Sequence, residues 1–240
     1  KTVEVTKWGD WTEEDLSIPA YITKGDEEYK VVKISRQSFR YCSNIKRVFL
    51  PETIIEIGEH AFTGCINISS VSNLDKVSIL GEQAFYGCEK LKEVNLCPNL
   101  LSINGAFAEC KGLVSIDIPD GIKELVNNEF CGCTSLSDVK LPSALEKIGH
   151  DAFFNCESLV SIDFPLTLTY IGYKAFYGCT KLEQITLHEN LSTLGYGAFM
   201  RCSGIKNVIY NPTKCEGVTW YSEDAHYSRF ESCENLTNIN

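Results

Sequence analysis

Residues Ile148 to Leu187 read I-G-H-D-A-F-F-N-C-E-S-L-V-S-I-D-F-P-L-T-L-T-Y-I-G-Y-K-A-F-Y-G-C-T-K-L-E-Q-I-T-L. The phrase A-F-x-x-C-x-x-L-x-x-I-x-(L/F) occurs twice in this stretch, so that Phe153 and Phe176 stand 23 residues apart, as do Cys156 and Cys179. A fixed period of this length predicts a solenoid of stacked coils, because one unit cannot bury its apolar face alone.

The same phrase runs along most of the chain. Successive phenylalanines are 22 or 23 residues apart until a last step of 31, and a cysteine follows each of them by three residues. The phenylalanines are Phe39, Phe62, Phe85, Phe107, Phe130, Phe153, Phe176, Phe199 and Phe230. The cysteines are Cys42, Cys65, Cys88, Cys110, Cys133, Cys156, Cys179, Cys202 and Cys233. We call these two sets the ladder phenylalanines and the ladder cysteines.

Each unit has three predicted parts. The segment L-x-x-I-x-L is the strand phrase of leucine-rich repeats, and its alternation places every second side chain inward. The spacing of A-F-x-x-C predicts a single helical turn with one inward face. A second extended segment precedes the turn and ends in I-G or L-G, where we expect glycine to permit a backbone bend. Val126 replaces that glycine in one unit.

The repeat divides the chain into three regions. Residues 1–35 do not follow the period and are predicted to cap the first coil, with Trp8 and Trp11 as lids or, alternatively, as ligand-binding aromatics. Residues 36–210 hold eight repeats of about 23 residues, and residues 211–240 hold an insertion and an incomplete ninth repeat. We expect local bulges at Ser72-Asn73-Leu74 and at Asn104-Gly105-Ala106, where one unit is a residue short.

Composition excludes several classes of protein. The formal charge of −10, without a basic cluster, argues against nucleic-acid binding, and no apolar run is long enough to span a membrane.

Nine of the 12 cysteines occupy the ladder position, so we expect buried thiols rather than disulfides. A pair among Cys97, Cys131 and Cys215 remains open. Without a C-x-x-C motif, zinc is not expected.

The usual signatures of catalysis are missing from the sequence. The four histidines lack metal-ligand spacing, and there is no G-x-S-x-G, no P-loop and no G-x-G-x-x-G. We therefore predict a protein that is not an enzyme and that needs no cofactor and no metal.

Two surfaces remain as candidates for binding. Side chains that flank the central Ile of the strand phrase point away from the core and form a small, polar, mildly acidic face, on which Asp117, Lys140 and Asp163 should be neighbours. The candidate partner-binding residues are Arg47, Glu93, Asp117, Asp138, Lys140 and Asp163. A solvated face without a partner is the alternative. The other candidate is a carbohydrate-binding module built on Trp220, Tyr221 and Tyr227, which would otherwise belong to a C-terminal cap.

The phrase I-G-x-x-A-F-x-x-C-x-x-L-x-x-I-x-(L/F)-P, best seen from Gly149 to Pro165, resembles the BspA-like leucine-rich repeat family over about 200 of the 240 residues. The run from Leu16 to Cys42 is similar to that family's first strand and first unit. The resemblance implies an α/β solenoid: a right-handed leucine-rich repeat superhelix with a parallel β-sheet, about nine coils and an N-terminal β cap. It also implies a secreted or surface-attached bacterial protein whose signal peptide has been removed. Such a protein would bind a protein partner, such as host extracellular matrix or another cell surface.

Overall fold

The computed structural model describes residues 1–6, 11–211, 213 and 230–239. In these residues the chain winds into stacked coils. Most coils contain a first strand segment, a second strand segment and a turn, whereas residues 91–103 and 159–165 follow the same path without an assigned strand. All nine ladder phenylalanines are buried inside the stack. The predicted solenoid with parallel sheets is therefore confirmed.

The first strand segments form what we call the first strand face. Their central residue is buried in most coils and its neighbours are exposed or half-buried, which is the alternation that the strand phrase predicts. The strands are β2 (Asp15–Ser17), β5 (Arg47–Phe49), β7 (Ser70–Ser72), β9 (Ser115–Asp117), β11 (Asp138–Lys140), β14 (Gln184–Leu187), β16 (Asn207–Tyr210) and β17 (Asn238–Ile239). They pair in parallel as β2-β5-β7, β9-β11 and β14-β16-β17.

The second strand segments lie on another side of the coils. They are β1 (Thr2–Val5), β4 (Glu27–Ile34), β6 (Glu56–Ile57), β8 (Ile79–Leu80), β10 (Glu124–Leu125), β12 (Lys147–Ile148), β13 (Tyr170–Ile171) and β15 (Thr193–Leu194). They form two parallel sheets, β1-β4-β6-β8 and β10-β12-β13-β15, and β3 (Tyr21–Lys24) pairs antiparallel with β4. Residues that pair on neighbouring strands are one repeat apart in the sequence, so that Lys147 pairs with Tyr170.

The ladder residues explain the core chemistry of the repeat. Ladder phenylalanines stack at centroid distances of 5.0–5.7 Å. From Cys65 onward, each ladder thiol donates to the carbonyl of the ladder phenylalanine in the preceding coil over 2.9–3.4 Å. A cysteine is therefore both a small apolar filler and a donor between coils. No disulfide forms among the described cysteines.

The A-F-x-x-C segment differs from the expected helical turn. Around Phe153, both Asp151 and Asn155 have left-handed backbones, with φ of 53° and 56°. The backbone N–H groups of Asp151, Phe153 and Asn155 each donate to a carbonyl of the next coil at 2.7–2.9 Å. Because left-handed residues alternate with the others, the backbone N–H groups of this segment point along the solenoid axis to the next coil. In a helix they would point to an earlier residue of the same segment. The one helix among the described residues is a 3₁₀ turn, Leu74–Lys76.

The glycine of I-G serves close packing rather than the expected bend. Gly172 has no left-handed φ, but a Cβ on it would lie 2.7 Å from the carbonyl carbon of Gly149 and 2.7 Å from the nitrogen of His150. Gly149 and Gly195 meet the backbone of the preceding coil in the same way. Neighbouring coils therefore touch backbone to backbone at this position, where a side chain would not fit.

The N-terminal strands and Trp11 lie at the first coil. Strand β4 pairs with β6, and the Trp11 ring meets the Phe39 ring edge to face at 6.1 Å. Trp8 lies outside the described residues. At the bulge expected at Ser72-Asn73-Leu74, Asn73 has a left-handed φ of 55° and its side-chain amide donates to the Leu50 carbonyl at 2.7 Å. The side chain therefore keeps a bond between coils at a point where the strand ends.

Candidate functional site

All six candidate partner-binding residues are exposed. Four of them lie on strands of the first strand face, whereas Glu93 and Asp163 lie in segments that are not assigned to strands. Arg47 lies near one end of the stack on β5, and its guanidinium donates to both carboxylate oxygens of Asp15 at 2.7 and 2.6 Å. These hydrogen bonds lower the pKa of Asp15 and raise the pKa of Arg47. Arg47 is therefore engaged with its own chain.

The structure brings only part of the candidate set together. Asp117 and Lys140 are register partners on β9 and β11, and Asp138 shares a strand with Lys140. Glu93 and Asp117 line a shallow cleft of about 350 Å³. Asp163 lies in a segment that is not assigned to a strand. Within the described part of the chain, no ion pair joins Lys140 to a carboxylate. Of the three expected neighbours, strand pairing joins Asp117 and Lys140 and does not include Asp163.

A second feature arises at the other expected bulge, where one coil is a residue short. In a regular coil the glycine of I-G donates its N–H to the preceding coil, as Gly149 does to the Leu125 carbonyl at 2.8 Å. In the short coil, which reads Ile103-Asn104-Gly105-Ala106-Phe107, the side-chain amide of Asn104 makes the equivalent bond to Leu80 at 2.7 Å. An amide side chain thus replaces the backbone donor that the deletion removes.

The coil that follows the short one compensates for the missing residue with a buried carboxylate. Glu129 occupies the position that alanine holds in A-F, and its side chain is almost fully buried. One oxygen accepts from the Gly105 N–H at 2.6 Å, and the other accepts from the Val126 N–H at 3.0 Å. Burial raises the pKa of Glu129 to about 7, although both backbone hydrogen bonds favour the charged form.

The regular ladder is interrupted at this junction. In regular coils the ladder phenylalanine donates its N–H to the next coil, as Phe130 does to Ala152 at 2.7 Å. Among the described contacts, neither such a bond from Phe107 to Glu129 nor ring stacking between Phe107 and Phe130 is present. The expected local bulge is therefore a break in the stacking of the ladder phenylalanines, whereas the thiol bond from Cys133 to Phe107 is kept. The Glu129 carboxylate bridges the two coils at this break.

An open cleft of about 620 Å³ lies on the turn side of this junction. We call it the junction cleft. Its wall includes one aromatic ring, carboxylates and several side-chain amides: Glu82, Gln83, Tyr86, Glu109, Asn127 and Asn128. Ala108 and Cys131 also line it. Burial raises the pKa of the Tyr86 phenol, so that group stays protonated as a hydrogen-bond donor at neutral pH.

Cys131 does not make the junction cleft a thiol active site. Burial, together with the charges of Glu109 and Asp151, raises the pKa of Cys131 to about 11. The thiolate is the nucleophile in cysteine chemistry, and such a thiol is almost entirely protonated at neutral pH. The residue therefore contributes its small size to the cleft.

The remaining predictions about sites have different outcomes. Trp220, Tyr221, Tyr227 and Cys215 lie outside the described residues. Within the part of the chain that the structure covers, no group of His, Cys, Asp and Glu is arranged to hold a metal ion. No helix among those residues has the length and apolar character needed to cross a membrane.

Stacked coils of about 23 residues, with parallel strands and a buried phenylalanine ladder, define a leucine-rich repeat solenoid. The chain belongs to the BspA type leucine rich repeat family, whose profile matches six copies over residues 21–134 and 102–216. No curated protein matches the chain.

Solved structures share the fold. A leucine-rich repeat protein from Bacteroides ovatus is 27% identical, with a TM-score of 0.58 over 100% of this chain and 72% of that one. A leucine rich cell surface protein from Faecalibacterium prausnitzii is 21% identical, with a TM-score of 0.60 over 100% of this chain and 90% of that one. The pneumococcal vaccine antigen PcpA is 18% identical, with a TM-score of 0.52 over 98% and 80%. The last two establish similarity of fold alone.

Proposed function

We propose that this protein is a secreted or cell-surface interaction module that binds a protein partner through the first strand face. Adhesion to host extracellular matrix or to another cell is the biological role that we propose for it. The protein acts by binding and not by catalysis. The observation that carries the proposal is a row of exposed charged and polar side chains on short strands, held by a core that is continuous along the stack.

Rigidity is the physical advantage of this face. The inward residues of the strands, such as Ile116 and Val139, are buried in one apolar core, so the outward residues sit on a fixed backbone. A partner that binds a fixed surface does not have to order it, which reduces the entropic cost of association. Solenoids use extended sheet faces in this way for extended partners.

Charge gives the face its expected preference. Glu93, Asp117 and Asp138 are exposed carboxylates on one side of the stack, and the whole chain has a formal charge of −10. Complementary charge raises the rate of association and excludes partners of like charge. We therefore expect a partner with a basic surface. The similar protein from Faecalibacterium prausnitzii is described as a cell surface protein, which supports the proposed location.

The test is direct binding to defined matrix proteins. Immobilised fibronectin, laminin and collagen are presented to the wild-type protein and to the triple variant Glu93→Lys, Asp117→Lys, Asp138→Lys. We expect binding to at least one of the three, with a loss of about tenfold or more in the variant, because charges at an interface typically affect both rate and affinity.

The matched control carries the same change in charge elsewhere. Glu52, Asp120 and Glu189 are exposed residues of links outside the strands, and their replacement by lysine changes the net charge equally. The control variant should bind as the wild type does. If both variants lose binding alike, the effect is one of net charge, and the assignment to the first strand face is wrong.

A further inference from the structure

The junction cleft lies in a row of side chains that continues on both sides of it. The row consists of the residues that directly follow the ladder phenylalanines, and backbone bonds join successive coils beside it: Gly87 N to Ala108 O at 2.8 Å, Glu109 N to Cys131 O at 2.7 Å, and Gly132 N to Phe154 O at 2.8 Å. The part of the row around the cleft reads, in order, Tyr86, Ala108, Cys131, Phe154, Tyr177 and Met200.

Two rings of this row are separated by two small residues. Beyond the cleft, Phe154 and Tyr177 stack at 4.8 Å with an interplanar angle of 4°, so rings fill successive coils there. Between Tyr86 and Phe154 the row holds only Ala108 and Cys131. Three steps of about 4.8 Å separate those two rings by about 14 Å. The row therefore has a gap as long as two missing rings, and Tyr86 lines its first end.

The size of the cleft matches a small molecule and not an ion. Ligand pockets in proteins typically have volumes of about 300–1,000 Å³. The junction cleft, at about 620 Å³, falls in that range. It is open to solvent along the turns, so a ligand that is part of a longer chain can extend out of it.

The chemistry of the wall selects the class of ligand. Amides of Gln83 and Asn128 offer both donors and acceptors, and the carboxylates of Glu82 and Glu109 accept hydrogen bonds. The Asn127 amide offers its donors, while its oxygen accepts from the His150 N–H at 2.8 Å. Tyr86 adds an aromatic ring with a hydroxyl group. No lysine or arginine is part of this wall. A ligand with many hydroxyl groups can both donate and accept there, whereas an anionic ligand would meet carboxylates without a cation.

We propose that the junction cleft binds a neutral sugar residue of a glycan, with the sugar in the gap between Tyr86 and Phe154. The amides and carboxylates bind its hydroxyl groups. This role is independent of the proposed role of the first strand face. It places glycan binding within the described coils, and not in the insertion that contains Trp220.

Glu129 positions the backbone of the cleft without contacting the ligand. Its buried carboxylate holds the N–H groups of Gly105 and Val126, which belong to the two coils that contain the gap. A site whose backbone is held by buried hydrogen bonds needs little rearrangement on binding. The deletion in the short coil and the unusual glutamate in the next therefore form one structural unit with the cleft.

The experiment uses an array of neutral, sulfated and sialylated oligosaccharides, followed by calorimetric titration with the neutral oligosaccharide that gives the strongest signal. We expect neutral glycans to bind. Cys131→Tyr places a ring in the gap and should weaken the measured affinity by about tenfold or more, a shift that calorimetry resolves well. Tyr86→Ala, which removes the aromatic end of the gap, should also weaken it.

The control adds the same ring in the same row outside the cleft. Met200 directly follows Tyr177 in the row, and Met200→Tyr should bind glycan as the wild type does. Thermal unfolding of each variant separates loss of the site from loss of the fold. An array without any neutral-glycan signal, or a folded Cys131→Tyr variant with unchanged affinity, overturns the proposal. So does binding of a lysine-rich peptide in place of neutral glycans, which would assign the cleft to Glu82 and Glu109 as a site for cations.

Discussion

Glu129 Oε1 lies 2.6 Å from the backbone nitrogen of Gly105, which belongs to the coil before it. The deletion of one residue in that coil interrupts the regular bonds between coils. One oxygen of the Glu129 carboxylate accepts from Gly105 in the preceding coil, and the other accepts from Val126 in its own coil. A local defect of the repeat is thus repaired by a side chain that is buried and ionisable. This arrangement makes the stability of the solenoid depend on pH.

Stability should decrease between about pH 4.5 and pH 7 because of Glu129. Burial raises the pKa of this carboxyl from 4.5 to about 7 in the folded protein. Below pH 4.5 the group is protonated in both states, and its contribution is fully present. As the pH rises to 7, the unfolded chain loses the proton first, so about 3 kcal/mol of stability is lost. Urea unfolding at pH 5, 6, 7 and 8 measures this slope.

The variant Glu129→Gln should lack that part of the slope, because an amide keeps an acceptor oxygen and does not ionise in this range. The control is Glu157→Gln, a change at an exposed carboxyl, which should follow the wild-type curve. Parallel curves for the wild type and Glu129→Gln would show that the buried carboxyl does not titrate as described.

Phe153→Ala should cost about 3–5 kcal/mol in the free energy of unfolding, the usual effect of emptying an aromatic core site. Phe153 is fully buried and stacks on Phe130 at 5.4 Å and on Phe176 at 5.0 Å. The neighbouring Phe154 is half-buried and, among the residues that the structure describes, stacks on one ring, that of Tyr177. Phe154→Ala should therefore cost only about 1 kcal/mol. Denaturant unfolding of both variants tests the contrast, and equal losses would contradict the inward position of the ladder ring.

The period of the sequence was sufficient to predict the core. Rings such as Phe153 and thiols such as Cys156 recur at one position because each coil repeats the same interior environment, and repetition is visible without coordinates. The turn was mispredicted as helical because apolar residues at i and i+3 fit both a helix and a series of tight turns. The left-handed backbones of Asp151 and Asn155, which distinguish the two, are a property of conformation and not of the apolar pattern.

The junction cleft was missed for a different reason. A lone glutamate in a chain with 32 acidic residues gives no sign that it is buried. The available signal was a coincidence of three departures in two adjacent coils: the missing residue beside Asn104, Val126 in place of glycine, and Glu129 in place of alanine. Three exceptions in adjacent coils indicate that the altered residues compensate for one another, because each of them fits the irregular backbone that the other two leave.

Gly172→Ala should destabilise the solenoid by about 1–3 kcal/mol, the usual cost of overpacking. The added Cβ would lie 2.7 Å from backbone atoms of Gly149 and His150, which cannot rotate away as a side chain can. Gly121→Ala is the control, since its nearest atoms are 3.3 and 3.4 Å away, and it should change stability by less than about 0.5 kcal/mol. A chemical denaturation series that ranks the two variants in the opposite order would exclude backbone contact between coils as the reason for glycine.

The ladder cysteines should be unreactive in the folded protein and reactive once it unfolds. Burial raises the pKa of Cys156 well above 9.0, and its thiol donates to the Phe130 carbonyl at 3.3 Å. Reaction with a thiol reagent at pH 8 should therefore be slow at ladder positions. Half-buried Cys131, with a pKa of about 11, should also react slowly, because only about one thiol in a thousand is ionised at that pH.

Denaturation without a reductant should release all nine ladder thiols for labelling, and mass spectrometry of the labelled peptides identifies each one. Ser161→Cys supplies the control, since position 161 is exposed on the first strand face and its thiol should label rapidly in the folded protein. Fewer than about six labelled cysteines after denaturation would mean that disulfides replace the thiol ladder. Rapid labelling of Cys156 in the folded protein would place that side chain outside the core, because a thiolate forms readily only where water or a cation stabilises it.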